Sequence, residues 1–260
     1  MNITNKEWEK WGARDPYYGV FSTKEFRKGK LDKESRRAFF QSGQSYVQEI
    51  LVKLRAHIDP DFQPKKILDF GCGVGRLVIP FSRIAASVTG IDVSESMLIE
   101  ARKNCAVESI ENVKLINSQD DNLSAISDCL YDLVHSYIVF QHIPIHRGEC
   151  IFSSLLARLR PGGCGILHFT YASVASNTIP ATQKIKTWLR NRLTIVDWII
   201  CLRRELAGAD PEMQMNAYNL NVLAMKLQTL GVMEMFIEFA KHGDYFGVIL
   251  YFQKPRRTAN

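Results

Sequence analysis

Two aspartates and three glycines are the residues whose types and spacing point most directly to chemistry. Asp69 opens the run "DFGCGVG" (69–75), Gly71, Gly73 and Gly75 follow at every second position, and Asp92 stands 21 residues beyond Gly71. Glycine reaches positive φ angles and puts no Cβ between the backbone and a ligand. A turn of this kind lets a strand end and a helix begin within a few residues. The dinucleotide fingerprint is G-x-G-x-x-G, whereas here the spacing is G-x-G-x-G and Arg76 holds the fingerprint's last position. A carboxylate at Asp69 would repel a pyrophosphate but suits a cationic amine. An acid at the end of the second strand, where Asp92 lies, takes the two hydroxyls of a ribose. The pair asks for a ligand with an adenosine and an ammonium group and no phosphate.

The elements around these residues alternate. "KILDF" predicts a buried strand, "GRLVIPFSRIAA" a helix with a proline near its middle, and "SVTGID" a second strand. "SESMLIEARKNCA" predicts a helix with Ser94 as its N-cap. "NVKLIN" and "YDLVHSYIVF" predict strands, the latter long and apolar. "IHRGECIFSSLLARLR" predicts a helix stopped by "PGG", and "CGILHFTY" another strand. Near the C-terminus "AYNLNVLAMKLQTLG" predicts a helix, and "VMEMFIEFA" and "YFGVILYFQK" an antiparallel edge hairpin around "KHGD". Strands alternating with helices give an α/β fold, a doubly wound, mostly parallel sheet, and the near-continuous apolar strands agree.

At this point the chain resembles a known family. "ILDFGCGVGRL" resembles motif I of the class I S-adenosylmethionine-dependent methyltransferases, and "VTGIDVSESML" the acidic segment after it. "YDLVHSYIVFQHIP" is similar to that family's fourth strand, and "LLARLRPGGCGILHF" to its next helix and fifth strand. S-adenosylmethionine, leaving as S-adenosylhomocysteine, also meets the ligand requirement read from the two aspartates. The resemblance implies a Rossmann-like sheet of seven strands and roles for particular residues. Asp69 would face the cofactor's amino group, Gly71, Cys72 and Gly73 (with Gly75 completing the turn) would supply backbone to the methionine part, and Asp92 would hold the ribose. Val93 and Met97 would lie near the adenine. Where many members have "GDA", this chain has Ser118, Gln119 and Asp120, and either Gln119 or Asp120 can accept from the adenine amine. Ser136 and Tyr137 would lie under the cofactor.

Methyl transfer requires an aligned nucleophile and, for a hydroxyl or protonated amine, removal of a proton. The residues after the fourth strand offer Tyr137 and His142 as catalytic groups, with His142 the better general base because imidazole titrates near neutrality. His168, inside a strand, fits a core position, and His242 a site rim or an ordinary turn. An Asn/Asp-Pro-Pro-aromatic motif, which marks family members acting on adenine or amide nitrogen, is replaced here by "HSYIVF". The expected reaction is therefore methylation of a small molecule, on oxygen rather than nitrogen, a sugar or secondary metabolite. An RNA or protein methyltransferase, an NAD-dependent oxidoreductase and a non-catalytic cofactor-binding module are the alternatives.

Composition sets the outer bounds. The 260 residues are 46% hydrophobic and 23% charged, ordinary for one globular domain. The polar, aromatic start lacks an apolar leader core, and "LTIVDWIICL" is too short to span a bilayer, so a cytoplasmic protein without stable membrane insertion is expected. Six cysteines, none in CxxC spacing, give no metal site. The net charge of +6 is dispersed; "KEFRKGKLDKESRR" mixes seven bases with three acids, the pattern of a solvated helix face. No nucleic-acid partner is expected. Within a single domain spanning 1–260, residues 1–60 are expected to form an N-terminal cap, its helix running from Arg37 to His57. Trp8, Trp11, Tyr17, Tyr18 and Phe21 of this cap would either lie over the cofactor mouth as a lid or simply cap the sheet. Residues 171–215 are expected to form a helical insertion, in which Trp188, Leu189, Leu193, Ile195, Val196 and Trp198 alternate with bases. Three uses are open to this insertion: a lid, a homodimer face or a lipid-contacting surface.

Overall fold

The computed structural model describes residues 2–174 and 209–256. Seven strands form one sheet: β1 (Lys66–Phe70), β2 (Ser87–Asp92), β3 (Val113–Asn117), β4 (Tyr131–Ser136), β5 (Leu159–Ser173), β6 (Met235–His242) and β7 (Tyr245–Gln253). Their order is β3-β2-β1-β4-β5-β7-β6. The first five are parallel, and β7 enters antiparallel between β5 and β6. The expected hairpin thus forms, with β6 at the edge. Between β1 and β4 the chain's winding reverses, and the carboxyl ends of strands at such a switch point open the crevice where ligands bind. Asp69 and Phe70 end β1 at that crevice, and Asp92 ends β2 beside them.

Helices cover both faces. On one, α3 (Lys33–His57), α4 (Val78–Ser82) and α5 (Glu95–Val107) bury Ile50, Leu54, Phe81 and Leu98 against Ile67, Leu133 and Ile166. On the other, α6 (Ile145–Arg158) and α7 (Leu220–Thr229) bury Phe152, Leu155, Leu223 and Leu227 against Leu68, Val134, Leu167 and Leu250. Odd and even strand residues serve opposite faces, so the two cores share every central strand.

Five elements differ from the sequence expectation. The first 36 residues, which show no clear periodicity, contain α1 (Ile3–Arg14), capped by the Asn2 side chain, and α2 (Pro16–Val20). The cap's long helix starts at Lys33, not Arg37, because Asp32 and Ser35 form a reciprocal capping box there. The helix after the glycine turn is regular only over Val78–Ser82, where Pro80 brings no N–H donor to the ladder. The fourth strand stops at Ser136; Ile138 turns the chain with φ +58°, and Phe140–His142 form a 3-10 turn. β5 extends through Ser173, and residues 209–219 carry no helix. The remainder of the expected helical insertion, with Trp188 and its apolar neighbours, lies outside the described residues.

The cap is fastened to α5. Glu9 accepts hydrogen bonds from Ser94 Oγ (2.7 Å) and Ser96 N (3.3 Å) at the amino end of that helix, where a negative charge also meets the favourable end of the helix dipole. Partial burial pushes the Glu9 carboxyl up, but the bonds from Ser96 and Ser94 outweigh it and hold it below its usual value. Tyr17 donates to Asn104 Oδ1 (3.0 Å) and contacts Glu100 Oε1 at 2.9 Å. Trp11, Tyr17, Phe26, Phe39, Val74 and Met97 form the apolar core between cap and sheet.

Candidate functional site

The glycine turn is built to hold Asp92 still. Asp92 Oδ2 accepts from Gly73 N (2.8 Å) and Oδ1 from Ser94 N (2.9 Å). The N–H groups of Gly71 and Cys72 both reach Ile91 O, at 2.8 and 3.0 Å, tying the turn to β2. Gly71 and Gly73 adopt φ +75° and +52°. A Cβ on Gly71 would meet Val139 at 2.3 Å, and one on Gly73 would meet Val20 at 2.5 Å. The two glycines therefore admit neighbouring side chains that themselves wall the crevice. Burial raises the Asp92 carboxyl to about 6, the Ser94 and Gly73 amides offsetting that only in part.

Above this turn lies a cavity of about 100 Å³. One end is lined by Asp92, Val93, Met97, Ser118, Gln119 and Asp120. Ser118 Oγ is buried there without a hydrogen-bond partner. Asp120, by contrast, spends its carboxylate on its own turn, accepting from Asn122 N, Ser124 N and Ser124 Oγ at 3.1, 3.1 and 2.8 Å. Burial pushes that carboxyl up, and the bonds from Ser124 and Asn122 bring it below its usual value. Asn5 and Trp8 of α1 line the cavity, as does Arg147 of α6, paired with Asp121 at 2.7 Å and bonded to Asn5 Oδ1 at 3.3 Å. Tyr137, Ile138, Val139 and His142, from the segment after β4, also line it.

A smaller chamber continues from these residues. It shares Val20, Gly71, Tyr137 and Ile138 with the first cavity and adds Asp69, Cys72, Arg76 and Leu77. Asp69 is held from behind: His135 Nδ1 donates to Asp69 Oδ1 at 2.7 Å, and Tyr46 OH lies 3.3 Å from His135 Nε2. His135 and Asp69 are both buried. A carboxylate only accepts, so the proton sits on Nδ1 and the tyrosine hydroxyl donates to Nε2. The Tyr46 ring in turn packs 4.2 Å from that of Tyr137.

His142 has a fixed tautomer. Its Nδ1 lies 2.7 Å from Gln214 O, which can only accept. Its Nε2 lies 3.2 Å from Gln141 Nε2, whose Oε1 accepts from Thr170 Oγ1 at 2.9 Å. Burial pulls this imidazole down to about 4, the Gln214 carbonyl opposing weakly. The Trp8 ring packs 4.9 Å away.

The structure thus brings Asp92, Gly71, Gly73, Val93, Met97, Gln119, Asp120, Tyr137 and His142 to one cavity, and Asp69 and Cys72 to the adjoining chamber. Gly75 instead packs on Ala101 of α5, and Ser136 donates to Phe70 O at 3.0 Å, away from both spaces. Trp8 alone of the five cap aromatics lines the cavity; Trp11 and Tyr17 lie in the core beneath the cap. Asn5 and Arg147 carry no local signal, since each becomes a wall only through contacts far along the chain, while Ser118 stands in the turn the sequence pointed to without being assigned a role. An adenosine with a charged amino-acid tail fits these walls: a ribose acceptor pair on Asp92, an orphaned hydroxyl on Ser118, apolar surfaces on Val93 and Met97, and a polar chamber at the far end. Among the described residues, no helix is long and apolar enough to cross a membrane.

Comparison with known proteins agrees with this geometry. Residues 67–163 match the methyltransferase domain family. The ubiquinone biosynthesis O-methyltransferase of Rickettsia akari is 29% identical over 121 residues, 46% of each chain. The mitochondrial enzyme of the same name from Schizosaccharomyces pombe is 30% identical over 135 residues, 52% of this chain and 47% of that one. The chain thus aligns over about half the length of the curated relatives it matches. Among solved structures, magnesium protoporphyrin IX methyltransferase from Synechocystis PCC 6803 with bound S-adenosylmethionine superposes with a TM-score of 0.60 at 18% identity, over 98% of each chain. The N-methyltransferase NodS from Bradyrhizobium japonicum WM9, bound to S-adenosylhomocysteine, gives 0.57 at 13% identity, over 98% of this chain and 100% of that one. These likenesses share the fold. The segment that matches the methyltransferase domain carries both the glycine turn and Asp92, and the solved structures share its Rossmann-like fold.

Proposed function

We propose that this protein transfers a methyl group from S-adenosylmethionine to the oxygen of a small molecule. The observation that carries the reading is the cradle of Gly71, Gly73 and Asp92 opening into a cavity also lined by Tyr137 and His142. The bound cofactor supplies an electrophilic methyl on a sulfonium. Asp92 accepts the ribose hydroxyls while its own geometry is fixed by two backbone amides. Ser118 or Gln119 takes the adenine amine, because Asp120 is occupied by its turn. His142 is the proposed proton acceptor: with its proton fixed on Nδ1, Nε2 is the accepting atom, but it now accepts from the Gln141 amide and burial holds the imidazole at about 4, so an incoming hydroxyl must take the place of that amide and meet a weaker base than a free histidine. Tyr137 orients the acceptor at the junction of the two spaces. The oxygen preference draws on the O-methyltransferases among the relatives and on the absence of the nitrogen-acceptor motif after β4.

The test is transfer of radiolabel from methyl-labelled S-adenosylmethionine to a panel of phenols, hydroxylated acids, sugars and amines, with RNA and protein as parallel acceptors. Label in a hydroxyl compound supports the reading. Label confined to amines, RNA or protein contradicts the acceptor class.

A further inference from the structure

His168 of β5 is fully buried, and among the described residues neither of its ring nitrogens has a hydrogen-bond partner. His242, the last residue of β6, has its Nε2 buried and equally unpartnered. The two imidazole rings lie 5.2 Å apart at 72°, and the Tyr137 ring packs on both, at 5.4 and 6.1 Å. On β7, Gly247 withholds a Cβ that would stand 2.5 Å from His168 Nε2, so no side chain covers that nitrogen there. Polar atoms buried without partners are unfavourable, and three in one cluster ask for a group that arrives with a ligand. The cluster adjoins the site already described. Tyr137 lines both the cavity and the chamber, and His142, on the cavity, is close enough to His168 to disfavour charge on it.

The chemistry of the rings tells which group. Burial, reinforced by His242 and His142, pulls His168 down to about 3, and burial lowers His242 too, so both rings are uncharged at neutral pH. Neither offers a charge to a carboxylate, a phosphate or an ammonium. A neutral imidazole presents one N–H donor and one bare nitrogen acceptor, and a hydroxyl answers both. Paired imidazoles also suit a metal ion, but among the described residues no group of three or more His, Cys, Asp or Glu is placed to hold one. We propose that His168 and His242 form an acceptor subsite that binds a second hydroxyl, one that is not methylated. Tyr137 separates this subsite from the cavity by the width of one ring, a span that fits hydroxyls on adjacent carbons, so the acceptor is a vicinal diol. No bond is made or broken in the subsite, and the second hydroxyl keeps its proton.

This inference rests on the oxygen-acceptor reading, and one assay separates the two. Transfer of radiolabel from methyl-labelled S-adenosylmethionine is measured to catechol and phenol, to cyclohexane-1,2-diol and cyclohexanol, and to benzylamine. The aromatic and aliphatic pairs tell a phenolic diol from a sugar-like one. In one pair the diol should exceed its single-hydroxyl partner about 10- to 100-fold in kcat/KM, the range for a hydrogen bond whose loss leaves a buried partner unpaired. His168→Phe, which keeps a ring but removes both nitrogens, should lose that preference, its rate on the diol falling towards that on the single hydroxyl, with cofactor affinity by calorimetry held. His242→Ala, at a half-buried position, should lose part of it and serves as the test where the Phe variant fails to fold. A wild type that methylates phenol or cyclohexanol as well as the matching diol overturns the proposal while the oxygen reading stands. So does a folded His168→Phe protein that keeps the preference. Label in neither diol overturns it as well, and label in benzylamine alone takes the oxygen reading down with it.

Discussion

At the scale of single residues, Asp92 carries the most specific expectations. Removing its carboxylate in Asp92→Ala should weaken S-adenosylmethionine binding by about 1.5–3 kcal/mol, the range for hydrogen bonds to a charged group; unchanged affinity by calorimetry would place the ribose elsewhere. Its titration adds a signed pH dependence. The folded carboxyl sits at about 6 against an ordinary 3.8. The protonated form is thus favoured by folding: the contribution to stability is fully present below pH ~4 and is lost as pH rises through ~6. Ligand binding runs the other way, because the ribose hydroxyls need the ionised acceptor. Affinity should be flat above pH ~7 and fall about tenfold per unit below pH ~6, and Asp92→Asn should abolish that slope. His142→Ala should reduce turnover about a hundredfold or more while leaving cofactor affinity intact. Near-normal turnover would leave this imidazole only as the anchor of Gln214.

At the scale of elements, the glycine turn and the cap form one unit. Val139, from the segment after β4, sits on Gly71, and Val20, the last residue of α2, sits on Gly73. Gly73→Ala puts a side chain where φ is +52° and where Val20 already stands. It should lower the melting temperature and weaken cofactor binding together, and pairing it with Val20→Ala should restore part of the binding but not the strained backbone. Recovery of full stability in the double variant would contradict this split. Glu9→Ala removes the acceptor for Ser94 and Ser96 at the start of α5. Proteolysis within the first 20 residues should then accelerate without much change in global stability.

Legibility follows the range of the interactions. The turn, Asp92 and the Ser94 cap could be read from sequence because each depends on neighbours within about twenty positions. The end of the fourth strand is not legible because apolar "YIVF" continues the pattern of "YDLVHS", while the backbone turns at Ile138 to bring Val139 over Gly71. The amino-terminal helices have no readable periodicity because their apolar residues face a cap core assembled from α3, α5 and the glycine turn. The sequence offers Gln119 or Asp120 to the adenine amine and does not show that the Asp120 carboxylate also closes a turn on Ser124. Nothing local could show that His135, from β4, would stand behind Asp69 on β1.

At the scale of the whole molecule, the site lies where three parts of the chain meet: the sheet switch point between β1 and β4, the cap lining it through Asn5 and Trp8, and α6 lining it through Arg147. A ligand that touches all three binds only the folded state and stabilises it by mass action. S-adenosylhomocysteine at a hundred times its Kd should add about 2.7 kcal/mol, visible as a rise in melting temperature of several degrees, roughly 2–4 °C per kcal/mol for a chain of this size. The most direct test of the account is calorimetric titration of the protein with S-adenosylmethionine, S-adenosylhomocysteine and NAD in parallel. The account predicts micromolar binding of the first two and none of NAD. Binding of NAD alone would contradict it, because the turn at Gly71 and the acid at Asp92 would then serve a pyrophosphate-bearing ligand.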